Sequence, residues 1–214
     1  MNIYLPMKNN LLDKGEGTIW TGGGLKEPEI VAFNGTKCAK FDGNSRLRLQ
    51  DTTLIKSLKK WTIQVWIYPT KVGSYDDKSF VFTNFIVGSS VGDSWLSLAL
   101  QTDMMVHFGF FDYTYINLAS SILNAWHHIK ITSDGNNMNL WVDKVSIGTM
   151  SSINTDLSKP FAIGYEAGNY GADVGFYGYM TQFKFSDKYN DNDLPLNDSK
   201  FIYINKNNEA WAMV

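Results

Sequence analysis

One cysteine, three histidines, five prolines and a formal net charge of −2 are the scarce features of this 214-residue chain. A single cysteine excludes an internal disulfide framework. Its setting, Lys37-Cys38-Ala39-Lys40-Phe41, reads as a small residue of the core. The histidines are His107, His127 and His128, and a zinc site needs three or four ligands in one place. The adjacent pair lies in a strand pattern, where neighbours point to opposite faces, so the two cannot hold one metal. A charge so near zero argues against nucleic acid, which normally leaves a basic stripe on its partner. No apolar run reaches the ~18 residues of a membrane-spanning helix. The opening, MNIYLPMKNNLLDKGEG, has neither the basic start nor the apolar region of a secretory signal, so the expectation is a protein made without one.

What is present is apolar and aromatic. Hydrophobic residues make up 44% and aromatics 14%, enough for one sizeable core. The most informative stretch is WHHIKITSDGNNMNLWVDKVSIG, residues 126–148. With Asp134-Gly135 as a two-residue loop, Ile131 pairs with Met138, Ile129 with Leu140 and His127 with Val142 on one face. Lys130 with Asn139 and His128 with Trp141 occupy the other. A second turn at Asp143-Lys144 sets Val142 opposite Val145 and Leu140 opposite Ile147. Apolar residues recur here at a period of two, which excludes an amphipathic helix.

The same alternation runs along the chain. Residues 4–7 read as an edge strand, and EIVAF and CAKF are strands joined at Asn34-Gly35. RLRLQ places Leu47 and Leu49 inward, with Arg46, Arg48 and Gln50 outward. TLIKSLKK has room for one helical turn. WTIQVWIYP sets Ile63, Val65 and Ile67 against Thr62, Gln64, Trp66 and Tyr68, and Pro69 is expected to end it. FVFTNFIVG, SWLSLAL, MMVHFGFF, PFAIG and FYGYMTQFKF add further strands. About a dozen short strands with tight turns indicate an all-β, two-sheet antiparallel sandwich. Residues 1–186 are expected to form it. Residues 187–214 are expected to be a polar linker followed by an apolar docking segment.

Four blocks carry a family resemblance: AKFDGNSRLRL, WTIQVWIYP, the 126–148 hairpins, and FAIG followed by FYGYMTQFKFSDKYN. In order and spacing they resemble laminin G-like (concanavalin A-like) jelly-roll domains, over roughly residues 3 to 190. Two departures stand out. The family usually has Asp-Gly where this chain has Asp143-Lys144, and lysine at φ > 0 costs on the order of 1 kcal/mol, which favours another turn shape. Thr181-Gln182 stands where the family often has Asp-Glu, and some relatives place a structural calcium with that acid.

Enzymes of this sandwich hydrolyse glycans with two carboxylates flanking the bond. The family's mark for them is a strand with acidic residues at alternate positions, and none occurs here. Between Glu29 and Glu209 the sole glutamate is Glu166. The chain is therefore read as non-catalytic, with no required cofactor. The Asp-rich turns at 42–44, 75–77, 134–137 and 190–193 are explained by turn chemistry, and one structural calcium is the alternative. Aromatic rings beside Asp and Asn suit sugars, whose apolar faces stack while hydroxyls are caught by oxygen. Three stretches combine them: Tyr75, Asp76 and Asp77; Asp112 and Tyr113; and Tyr165, Glu166, Asn169, Tyr170 and Asp173. Tyr75, Tyr165 and Tyr170 lie on expected loops, away from the rings that fill a core.

The resulting expectation is a binding or structural module with a glycan as ligand, carried on a bacteriophage virion as a head decoration, fibre or tail adhesin. Its other partners are virion proteins or further copies, engaged through residues 199–214. An extracellular bacterial adhesion or glycan-binding domain is the alternative, and a glycoside hydrolase a third reading.

Overall fold

Period-two alternation becomes two antiparallel sheets in the computed structural model, which describes residues 1–12, 15–72, 78–84, 96–101, 106–109, 121–151, 157–165, 174–196, 202–204 and 210–212. The strands are β1 (Asn2–Leu5), β2 (Trp20–Thr21), β3 (Glu29–Phe33), β4 (Thr36–Asp42), β5 (Leu47–Leu49), β6 (Trp61–Lys71), β7 (Lys78–Thr83) and β8 (Ser97–Gln101). They continue as β9 (Val106–Gly109), β10 (His127–Ser133), β11 (Asn137–Val142), β12 (Val145–Ser151), β13 (Ala162–Ile163), β14 (Tyr177–Ser186), β15 (Ile202–Ile204) and β16 (Ala210–Ala212). The larger sheet runs β12-β11-β10-β6-β14-β4-β3, with β1 also on β14, and the smaller runs β2-β5-β13-β7-β8-β9. This is an all-β jelly-roll sandwich.

Between the sheets, Ile63, Val65 and Ile67 of β6 meet Ile129 and Ile131 of β10, Leu140 of β11 and Met180, Phe183 and Phe185 of β14, all at most 1% exposed. From the smaller sheet come Leu47, Phe82, Leu98, Leu100 and Ile163. Phe161 ties the layers together, stacked on Phe82 of the smaller sheet at 5.6 Å and packed on Phe183 and Phe185 of the larger at 6.1 and 5.9 Å. Cys38 is fully buried, and burial pushes its thiol up to about 11.

The hairpin faces are as expected and the pairing is shifted. Ile131 lies opposite Leu140, Ile129 opposite Val142 and Lys130 opposite Trp141. The two-residue loop is Gly135-Asn136, closed by Asp134 N–H donating to Asn137 O at 3.1 Å. Gly135 at φ +95° supplies the left-handed first position, and Asp134 Oδ1 accepts from the N–H groups of Asn136 and Asn137. Moving the loop by one residue moves every partner by two, so parity, and hence burial, survives.

The second turn keeps its two-residue form. Asp143 and Lys144 both have positive φ, 50° and 71°, so lysine does occupy a left-handed position. Asp143 compensates: its carboxylate accepts from His128 N–H at 2.8 Å and meets His127 Nδ1 at 2.7 Å. A bulge then puts Leu140 opposite Gly148 rather than Ile147. Pro69 does not end β6. Its pairing with β10 stops at Ile67, so the missing N–H faces a side where the ladder has already finished.

Residues 187–196 are no free linker. They lie as a strap across the outer face of the larger sheet. Thr62 Oγ1 donates to Lys188 O at 2.6 Å, Gln64 Nε2 to Asn192 O at 2.9 Å and Trp66 Nε1 to Leu194 O at 2.7 Å. Leu194 packs on Tyr4 and is 2% exposed. Residues 202–204 pair with 210–212 in a separate two-stranded sheet, not as an added strand of the sandwich. Removing residues 187–214 should therefore lower the melting temperature by ten degrees or more, whereas removing 199–214 should change it little. Calorimetry of the two truncations checks this, and equal melting temperatures would contradict it.

Candidate functional site

The outer positions of β6 are Thr62, Gln64, Trp66 and Tyr68, and the strap covers the first three. Tyr68 lies beyond it. In register beside Tyr68 are Tyr179 of β14 and then Lys40 of β4. On the other side, His127 pairs with Ile67, so Trp126 continues the row next to Tyr68. Tyr68 meets Trp126 edge-on at 5.7 Å and 68°, and Tyr179 at 6.1 Å and 71°. Phe33 of β3 stacks on Tyr179 at 3.7 Å and 10° and meets Tyr68 at 4.8 Å and 73°. All four rings are half-buried. The Trp126 Nε1–H is buried with no acceptor among the described residues.

The backbone beneath the row requires a small residue. Gly178 has φ +144°, and a Cβ there would lie 2.1 Å from Tyr68 O. β14 thus approaches β6 closely where Tyr179 and Tyr68 face each other. Beyond the row, Lys71 Nζ sits 3.7 Å from the centre of the Tyr177 ring. Asp42 accepts from Lys26 Nζ at 3.1 Å and Ser45 Oγ at 2.6 Å.

At the strap edge, Trp66 packs on His128 with ring centres 5.1 Å apart. His128 Nε2 donates to Gln64 Oε1 at 3.1 Å, and His128 is 3% exposed. It therefore faces the strap, not solvent. Burial brings its pKa down to about 4, a shift that Asp193 and Asp143 oppose and Lys130 and Lys144 reinforce. The strap itself is pinned by charge. Lys130 Nζ donates to Asp193 at 2.5 Å and Asn190 at 3.1 Å, and Lys184 pairs with Asp191 at 2.6 Å. Burial raises the Asp191 carboxyl, but its bond to Lys184 prevails and holds it below the ordinary value.

Of the residues singled out from sequence, Tyr75, Asp76, Asp77, Asp112, Tyr113, Glu166, Asn169, Tyr170 and Asp173 lie outside the described residues. Tyr165 is described and needs correction as a loop platform. It is 3% exposed and packs with Phe80, Ala99 and Val174 in a second apolar cluster. Arg46 is corrected too: it is fully buried, its Nε donating to Gly22 O at 3.1 Å and its other end reaching Gly23 O. Among the described residues, no group of three or more His, Cys, Asp or Glu gathers as metal ligands. Asp42, Asp134, Asp191 and Asp193 hold turns, the strap or lysines.

Phe33, Tyr68, Trp126 and Tyr179 were missed as site residues. Parity already puts Tyr68 on the non-core face of its strand, but composition does not separate a strand ring that packs from one that is open.

A pH dependence follows from His128. Its folded pKa lies below the ordinary 6.5, so the unfolded chain takes up the proton first as pH falls. The stability present above about pH 6.5 should be lost progressively towards about pH 4. Melting temperatures measured across that range should fall, and His128→Gln should flatten the slope. An unchanged slope in the variant would contradict it.

The sequence profile described as the Concanavalin A-like lectin/glucanases superfamily matches residues 41–190. A comparison with curated protein sequences found no match. Among solved structures, domain 4 of AbnA, a GH43 extracellular arabinanase from Geobacillus stearothermophilus, in complex with arabinotriose, is similar at 16% identity and TM-score 0.65. That likeness covers 87% of this chain and 92% of the domain. The binding domain of Paraclostridial Mosquitocidal Protein 1 is similar at 16% identity and TM-score 0.66, with 88% of this chain spanning 49% of that one. Trypanosoma rangeli sialidase in complex with the inhibitor DANA is similar at 11% identity and TM-score 0.64, with 88% of this chain spanning 31% of it. These likenesses share the fold, and the profile covers well over half the sequence: the chain belongs to the concanavalin A-like lectin/glucanase superfamily.

Proposed function

We propose that this chain is a non-catalytic binding module that stacks a soluble saccharide on Tyr68, Tyr179, Trp126 and Phe33. The observation that carries the reading is four half-buried rings on one face of a sheet whose other half is covered. Sugar C–H groups pack on ring faces, and these four rings offer such faces on one side of the sheet. Tyr68 stands at 68° and 71° to Trp126 and Tyr179, so the rings form a cleft and not a flat platform. A cleft suits a soluble chain, whereas a crystalline polysaccharide surface needs coplanar rings. The similar AbnA domain is in complex with arabinotriose, which supports a saccharide as the ligand class.

Among the described residues, the carboxylates favour binding over hydrolysis. A glycosidase needs one carboxyl raised in pKa to protonate the leaving group. Asp42, Asp51, Asp134 and Asp191, the described carboxyls that depart from their ordinary value, are all lowered. For the wider setting we propose the surface of a virion, with residues 199–214 as the contact to a neighbouring subunit. The apolar content of FIYI and AWAMV supports that contact.

Calorimetric titration with linear arabino-, xylo-, cello- and malto-oligosaccharides tests the reading. At least one should bind, and Tyr68→Ala should weaken it tenfold or more, about 1.4 kcal/mol. No reducing ends should be released. Binding indifferent to Tyr68→Ala, or cleavage abolished by Glu166→Gln, would overturn it.

A further inference from the structure

The outer face of β6 has two unlike halves. Towards its start, side-chain donors are turned over to the chain's own strap: the Thr62 hydroxyl, the Gln64 amide and the Trp66 indole each donate to a strap carbonyl. The flanking strands do likewise. Lys130 of β10 holds Asn190 and Asp193, Lys184 of β14 holds Asp191, and Gln182 Nε2 donates to the carbonyls of Pro195 and Leu196. Gln64 Oε1 accepts in return from Leu194 N–H at 3.2 Å. Hydroxyls, amides, ammonium groups and indole N–H groups are the means by which proteins hold sugar hydroxyls. Here the strap's carbonyls and carboxylates stand where such hydroxyls would. Towards its end β6 presents Tyr68, and the facing residues become aromatic.

We propose that residues 187–196 determine specificity by filling the hydrogen-bonding half of this face. They confine the ligand to the aromatic row and admit an unbranched saccharide. The inference rests on the stacking site described above. Trp66, where the strap last meets β6, is one outward position from Tyr68, about 6.6 Å along the strand. A sugar ring on Tyr68 fills that interval. A branch pointing towards Trp66 meets Leu194, which is buried against Tyr4 and Trp66 and has its N–H and carbonyl both engaged. Room for the branch requires the strap to leave, and its pins on Lys130, Lys184 and Gln182 oppose that.

The test is calorimetric titration of the full chain with linear and singly branched arabino- and xylo-oligosaccharides of equal ring count. The linear forms should bind at least tenfold more tightly. Lys130→Met, which loses the contacts to Asn190 and Asp193, should reduce the preference to threefold or less. Trp66→Phe, which keeps a ring and removes one strap hydrogen bond, should reduce it in the same direction and serves if Lys130→Met does not fold. Equal affinity for linear and branched forms, with Tyr68→Ala still weakening both, overturns the strap's role and leaves the stacking site standing. A tenfold preference retained in folded strap variants also overturns it. Binding unaffected by Tyr68→Ala removes the stacking site instead.

Discussion

β6 is an eleven-residue strand paired on both sides along most of its length, and both of its faces need cover. Inward, Ile63, Val65 and Ile67 are covered by the second sheet. Outward, Thr62 and Gln64 are almost fully buried, and polar groups taken from water must find partners. The strap provides them, and that requirement explains its course. An Asp- and Asn-rich segment covers this face because the sheet beneath presents donors. Hydrophobic side chains there would have left Lys130 and Lys184 unsatisfied, while Gln64 is met by the strap's backbone at Asn192 and Leu194. Where β6 changes from Gln64 and Trp66 to Tyr68, the strap turns away to Gln182, and the face becomes aromatic.

The faces of the central hairpins were legible in the sequence because period-two alternation fixes which residues share a side. Exact pairing was not, since Asp134-Gly135 and Gly135-Asn136 loops keep the same parity. Gly135 adopts positive φ alone, so the loop centres on it. Pro69 misled because a proline is tolerated where one neighbouring ladder has ended, and sequence does not show where a ladder ends. Lys144 misled because its turn is anchored through the Asp143 carboxylate to the two histidine residues outside it.

The strap was the larger miss, and its cause is physical. KYNDNDLPLND reads as solvated linker when each residue is judged by its own polarity. Its partners in β6 and β10 lie 60 or more residues away, and those in β14 are nearer, all on a face that alternation alone leaves to solvent. Composition carries no information about which polar face is covered. The site follows the same logic: an aromatic residue at an outward strand position is either beneath a strap, like Trp66, or beside one, like Tyr68. Tyr165 illustrates the converse, a ring on an expected loop that proves to be packing material.

The central claim is that one face of the larger sheet is divided between an internal occupant and an open ligand site. The indole N–H resonances of the seven tryptophans report on it directly, because Trp66 and Trp126 lie on opposite sides of the division. In a nitrogen–proton correlation spectrum titrated with the tightest-binding linear oligosaccharide, the Trp126 indole signal should shift progressively. The Trp66 signal, held by Leu194 O, should stay in place. A shift of Trp66 with Trp126 unmoved would place the ligand under the strap and contradict the account.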